Sequence, residues 1–255
     1  MSEQKLANKK PETITQLLKA YNSQIAAALP RHLDADRMSR VALTEIRRNP
    51  KLMACNPISL FGAIIQASQL GLEIGSGGAH LVPYGKEVQM IPDYRGLMSI
   101  ARRSGDINVI YAQIVHENDT FDYQFGTQYF LHFKPAKTTR GKIIGCFAIA
   151  NFKDGASQFE YMTVDDIDDI RQRSKAKDKG PWVTDYEAMA KKTVLRQLCK
   201  FLPASIELQR AVTLDELNDS DISQNNKAII DAEFSEEYLP VEGKPEVEMP
   251  TAVQQ

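Results

Sequence analysis

The sequence predicts an α+β fold: antiparallel β-meanders and hairpins packed with helices, followed by an acidic, disordered tail. Three patterns predict it. Apolar residues recur at helical spacing from Pro11 to Gln69 and again beyond Thr163. Runs rich in β-branched and aromatic residues, bounded by turn residues, fill the stretch from Ala79 to Met162. From Asp215 onward the chain has many acids and few aromatics, too little apolar surface to offset the entropy of ordering.

Residues 1 to 10 carry no periodic apolar pattern. Pro11 opens a helix to Leu29, with Ile14, Leu17, Leu18, Tyr21 and Ile25 on one face, and Pro30 interrupts it. A second helix runs from Asp34 to Arg48 and ends at Asn49-Pro50. A third starts near Pro57 and closes at Gly71. After the loop Gly75 to Gly78, the runs 79–84 and 87–91 form a hairpin around Gly85-Lys86. Asp93 caps a short helix from Tyr94 to Arg103. Strands follow at 107–116, 120–125, 128–133, 142–152 and 158–162, the last two joined by the turn Asp154-Gly155. Thr163 caps a helix whose first turns hold Asp165, Asp166, Asp168 and Asp169, and the helix dipole accounts for that acid cluster. A basic loop from Arg171 to Pro181 leads into a long helix from Trp182 to Leu202, and a short helix covers 204–214.

The 255 residues are 43% hydrophobic and 25% charged, which excludes a collagen-like, coiled-coil or wholly disordered chain. No apolar run is long enough to span a bilayer, so no membrane partner is expected. The polar N-terminus lacks a secretory core. Cys55, Cys146 and Cys199 are too scattered for a disulfide framework or a metal site, in keeping with a reducing cytoplasm.

The net charge of −2 averages two unlike regions. From Asp215 to Gln255 eleven acids face two lysines, giving −9, and residues 1–214 carry 29 basic and 22 acidic side chains, giving +7. A basic body suits a polyanion, and a solvated surface with a solubilising tail accounts for the same numbers. Enzymatic motifs are missing: no GxxxxGK[ST] loop, no GxSxG elbow, and no paired-ligand spacing among His32, His80, His116 and His132. Cys199 sits among apolar neighbours as a core residue.

Three basic constellations remain. On a helical projection of the last long helix, Lys192, Arg196 and Lys200 form a row at i, i+4 and i+8, while Val194, Leu195, Leu198, Phe201 and Leu202 form the apolar arc. Lys191 falls inside that arc and must either snorkel to solvent or meet an anion such as a phosphate. In the helix after Asp93, Tyr94, Arg95, Arg102 and Arg103 have no acid at helical spacing, which fits phosphate binding or an ordinary solvated face. The loop with Arg171, Arg173 and Lys175 ends at Trp182, whose ring either stacks on a base or anchors the helix start in the core.

These residues lie within segments that resemble RecT-type phage single-strand annealing proteins. The matching segments are QIAAALPRHLDADRMSRVALTEIRRNP from Gln24 to Pro50, QASQLGLEIGSGGAHLVPYGKEVQMIPDYRGLMSIARRSG from Gln66 to Gly105, KDGASQFEYMT from Lys153 to Thr163, and GPWVTDYEAMAKKTVLRQLCKFLPASIELQRAV from Gly180 to Val212. The resemblance implies a β-β-β-α core and ATP-independent binding and annealing of single-stranded DNA in phage-type recombination. It implies a homo-oligomer, a ring or a helical filament. It also implies a 5′→3′ exonuclease and a host single-strand binding protein as partners. It places the DNA groove at Tyr94, Arg95, Arg102, Arg103, Trp182, Lys191, Lys192 and Arg196, with Arg171, Arg173 and Lys175 at its margin. No catalytic residue and no cofactor are expected, and Mg²⁺ would act through the DNA. Three regions follow: a helical arm at 1–29 that contacts a neighbouring copy, an annealing core at 30–214, and a tail at 215–255 in which Phe234, Tyr238, Leu239 and Val241 could form a small docking patch. A protective single-strand binder without annealing activity is the alternative.

Overall fold

A computed structural model describes residues 16, 18–19, 22–30, 33–75, 78–174, 177–203, 205–220 and 222–226. Residues 1–15, most of the expected arm, lie outside the described residues, as does the tail from 227 to 255 with its patch of Phe234, Tyr238, Leu239 and Val241.

The described chain opens with α1 (Asn22–Ala28), α2 (Ala35–Arg48), α3 (Pro50–Met53) and α4 (Pro57–Gln69). The Asp34 side chain accepts from the Arg37 amide and starts α2, and Asn56 accepts from the Ile58 amide ahead of Pro57 to start α4. Every residue of α4 from Ser59 to Ser68 is buried, so it is the central helix of the N-terminal half. It packs on β1 (Glu73–Ile74), β2 (Gly78–Tyr84) and β3 (Glu87–Pro92). In that sheet β1 lies parallel to β2, and β2 pairs antiparallel with β3 in the expected hairpin.

Asp93 then caps α5 (Tyr94–Arg103), accepting from the Gly96 amide at 2.8 Å. Gly96 passes so close to β2 that a Cβ there would come within 2.2 Å of the Gly78 carbonyl oxygen. The absence of side chains at both positions lets helix and strand meet backbone to backbone.

The second sheet has the order β4-β7-β8, formed by β4 (Ile107–His116), β7 (Ile143–Phe152) and β8 (Ser157–Thr163), antiparallel throughout. It does not continue as an uninterrupted meander. Strands β5 (Thr120–Gln124) and β6 (Phe130–Lys134) form a separate hairpin between β4 and β7 in sequence. Aromatic contacts place this hairpin over the sheet's face: Phe121 stacks on Phe147 with centroids 5.8 Å apart, and Tyr123 lies 4.8 Å from Tyr161. Its base is tied by Asp119, which accepts from the His116 and Ala136 amides and twice from Arg140. Helix α6 (Val164–Arg173) follows β8 behind a capping box of Thr163 and Asp166, completing a β-β-β-α order.

The expected single helix from Trp182 to Leu202 is two. A turn of helix, α7 (Pro181–Thr184), breaks at Asp185 (φ −141°, ψ 46°), and α8 (Tyr186–Cys199) crosses all three strands of the second sheet. The last helix, α9 (Ile206–Asp219), runs beyond the expected stop at Leu214. The chain then straps across β3. The Gln224 side chain accepts from the Met90 amide at 2.9 Å and donates to the Met90 carbonyl at 2.8 Å, while Asn226 donates to the Val88 carbonyl at 2.6 Å. Side-chain amides thus satisfy the backbone groups of an edge strand. The position of the body edge expected at Asp215 falls inside α9, and Gln224 and Asn226 beyond it are buried. Among the described residues, no helix is long and apolar enough to cross a membrane.

Candidate nucleic-acid interface

The basic row of α8 meets an acidic row on α9. Lys192 pairs with Asp215, Arg196 with both Asp215 and Asp219, and Lys200 with Glu216. Lys192 and Arg196 are buried and the Asp215 side chain has no exposure. A charge held this way is matched within the fold, and it leaves no cation for a phosphate without breaking the pair. Lys192 and Arg196, expected in the groove, are thus tied into the fold by carboxylates of α9. The carboxylates that neutralise them belong to α9 rather than to a tail. Extending the body to residue 226 adds Asp215, Glu216, Asp219 and Asp221 and lowers its charge from +7 to +3.

Two further candidates also make contacts within the fold. Arg103 donates to the Gly71 carbonyl at 2.7 Å and to the Leu70 carbonyl, so its guanidinium closes the C-terminal end of α4. Burial pulls its pKa below the ordinary arginine value. Trp182 is only 4% exposed and lies 6.2 Å from the Tyr186 ring, so it packs into the core at the start of the helix.

The open cations lie elsewhere. Arg95 projects from the exposed flank of α5, its Nε donating to Tyr94 Oη at 3.2 Å and its guanidinium 5.6 Å from the Tyr94 ring centre. Tyr94 itself packs on the core, so it fixes the guanidinium from below. Arg102 is exposed on the same helix and donates to the Ile110 carbonyl at 3.2 Å. Neither arginine has a carboxylate within ion-pair distance among the described residues. Lys191 is half-buried where α8 crosses β7 and likewise has no carboxylate in that range. Its charge is felt at Cys146, whose thiol burial pushes up to about 12 while Lys191 opposes the rise. Helix α5 packs directly on α8, so these cations sit on adjoining elements.

The margin is mixed. Arg171 donates to the Lys177 carbonyl at 2.8 Å and lies 3.9 Å from Asp168, so it holds the loop in place. Arg173 is exposed at the end of α6. Lys175 lies outside the described residues. Among the described residues, no cluster of His, Cys, Asp and Glu could hold a metal ion.

Sequence reasoning missed the aromatic face. Phe121, Tyr123, Phe125, Phe133, Phe147, Phe159 and Tyr161 form one network between the β5–β6 hairpin and the sheet. The signal was present as aromatics two residues apart at 121, 123 and 125, which share one side of a strand.

The model of the RecT family matches residues 36–230, most of the chain and nearly all of the described body, and the chain belongs to that family. Membership supports a role in recombination and single-strand annealing. Protein RecT of Escherichia coli (strain K12) is 46% identical over 222 residues, covering 83% of this chain and 82% of that protein. An uncharacterised protein of Bacillus subtilis (strain 168), YqaK, is 28% identical over 211 residues, covering 76% of this chain and 74% of the relative.

Proposed function

We propose that this protein binds single-stranded DNA and anneals complementary strands without ATP, as an oligomer whose cations line a shared DNA groove. The family match over residues 36–230 carries the reading. Arg95, Arg102 and Lys191 are the groove cations, Lys175 extends the groove, and Tyr94 and Arg171 position their neighbours; Arg173, set among Glu160, Asp166 and Asp169, stands outside it. Lys192, Arg196, Arg103 and Trp182 hold the frame on which those cations stand.

Annealing needs no fuel. Base stacking contributes on the order of 1.4 kcal/mol per base-pair step, so a short paired stretch is already downhill. The barriers are repulsion between two phosphate chains, folding within each strand, and the search for register. Cations lower the first by releasing counterions. An extended backbone with base edges outward lowers the second, and a row of protomers presenting one strand as a template lowers the third. Phosphate contacts carry no sequence information, so binding is sequence-independent. The setting is phage or prophage recombination in the bacterial cytoplasm. A 5′→3′ exonuclease supplies the single strand there, and host single-strand binding protein competes for it.

The test mixes complementary oligonucleotides in nucleotide-free buffer. The protein accelerates pairing over the protein-free rate; a protein that only protects single strands slows it, and that result would overturn the proposal.

A further inference from the structure

Strand β8 is the outer strand of the second sheet, and among the described residues nothing pairs with its free side. Residues Ser157 to Glu160 line an opening of about 480 Å³, and Glu160 to Met162 line a second of about 370 Å³. The two share Glu160, so the whole edge from Ser157 to Met162 is uncovered. In an antiparallel pair every second residue turns its N–H and C=O away from the partner, so these groups stand ready for another strand.

The walls differ in chemistry. Phe159, the hairpin residues Phe125 and Tyr129, and Phe201 line one opening, and Phe125 and Phe201 are 52% and 63% exposed. The other opening is acidic: Glu160, Asp166 and Asp169 face one cation, Arg173. Glu160 is half-buried and has no cation within ion-pair distance among the described residues. Carboxylates repel phosphates, so this edge is unsuited to DNA. It suits an extended polypeptide with apolar side chains on one face and basic ones on the other.

Two segments of this chain lie outside the described residues at its ends. Residues 227–255 carry seven acids and two lysines, the wrong sign. Residues 1–10 carry Lys5, Lys9 and Lys10 against Glu3, with Leu6 among them. Neighbours in an extended segment project to opposite faces, as Phe159 and Glu160 do in β8, so Lys5 and Leu6 match the acid and the aromatic wall in turn. Helix α1, which that segment precedes, packs on α2 and α4, whereas β8 packs on α6 and α8.

We infer that the free edge of β8 docks residues 1–10 of a neighbouring copy, linking protomers head to tail. Such a heterologous contact repeats without closing on itself in a pair, so it builds rings or filaments. The inference rests on the oligomeric reading above but not on DNA binding.

The experiment uses a fluorescein-labelled peptide of residues 1–15, fluorescence anisotropy, and sedimentation velocity without DNA. The peptide binds saturably to protein lacking residues 1–10. Binding weakens at least tenfold in Glu160→Lys and in Phe201→Ala, the latter at an exposed position the fold tolerates. Removing residues 1–10 also shifts sedimentation toward the monomer. No peptide binding, or equal binding to both variants, overturns the inference. So does peptide binding with unchanged sedimentation, which would place the contact within one chain, or displacement of the peptide by an oligothymidylate, which would make the edge a nucleic-acid site. Failure of the peptide to bind a protein with an unaltered β8 edge that still anneals counts against this docking alone.

Discussion

Arg196 on α8 donates to Asp215 on α9 at 2.9 Å, and neither side chain reaches solvent to any useful extent. Asp215 holds Lys192 as well, so one carboxylate stands between two buried cations. Arg196 stays charged: burial favours its neutral form, but Asp215 and Asp219 outweigh it and raise its pKa.

Removing that carboxylate strands two charges. Asp215→Ala is expected to cost about 3–5 kcal/mol, the scale for breaking a buried pair. Urea denaturation followed by circular dichroism measures it. A loss below about 1 kcal/mol would show that the cluster relaxes into water.

The strap sets where the chain can be cut. A protein ending at Asn226 keeps the stability and annealing of the full chain, whereas one ending at Leu214 loses half of the ion cluster and does not fold. Gln224→Ala alone leaves the Met90 amide and carbonyl unpaired and costs about 1–3 kcal/mol. Thermal denaturation of the three proteins separates these outcomes.

Asp119 makes stability depend on acid. Arg140 holds its carboxyl well below the usual carboxylate range. Its contribution is fully present above the unfolded value of about 3.9 and fades as pH falls below it. Asp119→Asn is therefore less stable than the wild type at neutral pH, and the gap narrows between about pH 4 and the onset of acid unfolding. Urea midpoints across that range check the sign; a gap that widens would refute the assignment.

Arg95→Ala and Lys191→Ala are expected to fold normally and bind single strands more weakly. Each lost phosphate contact lowers the slope of log affinity against log salt by about 0.7. Arg103→Ala differs: it frees the carbonyls of Leu70 and Gly71, so it lowers the melting temperature before it touches DNA. Salt titrations of a labelled oligonucleotide, paired with melting curves, tell the two kinds of arginine apart.

Local signals were legible where they are self-contained. Asp93 and Thr163 cap helices as their side chains dictate, and the turn at Asp154-Gly155 joins β7 to β8. The pairing of α8 with α9 was not legible. Lys192 and Asp215 are separated by a helix end and a turn, and whether Asp215 belongs to a helix or a tail decides what the lysine does. Arg95 and Arg196 look alike in a helical projection, and only the neighbouring element makes one open and the other closed. The seat of the β5–β6 hairpin was hidden for the same reason: alternation shows that Phe121 and Tyr123 share a side, not which surface they cover.

The meeting of Gly78 with Gly96 bears on how this surface can change over time. Arg95 is the residue next to that contact, so main-chain geometry, together with the Tyr94 ring beneath it, dictates where its guanidinium stands. A single methyl group at either glycine would pry the helix from the strand and carry the cation away with it.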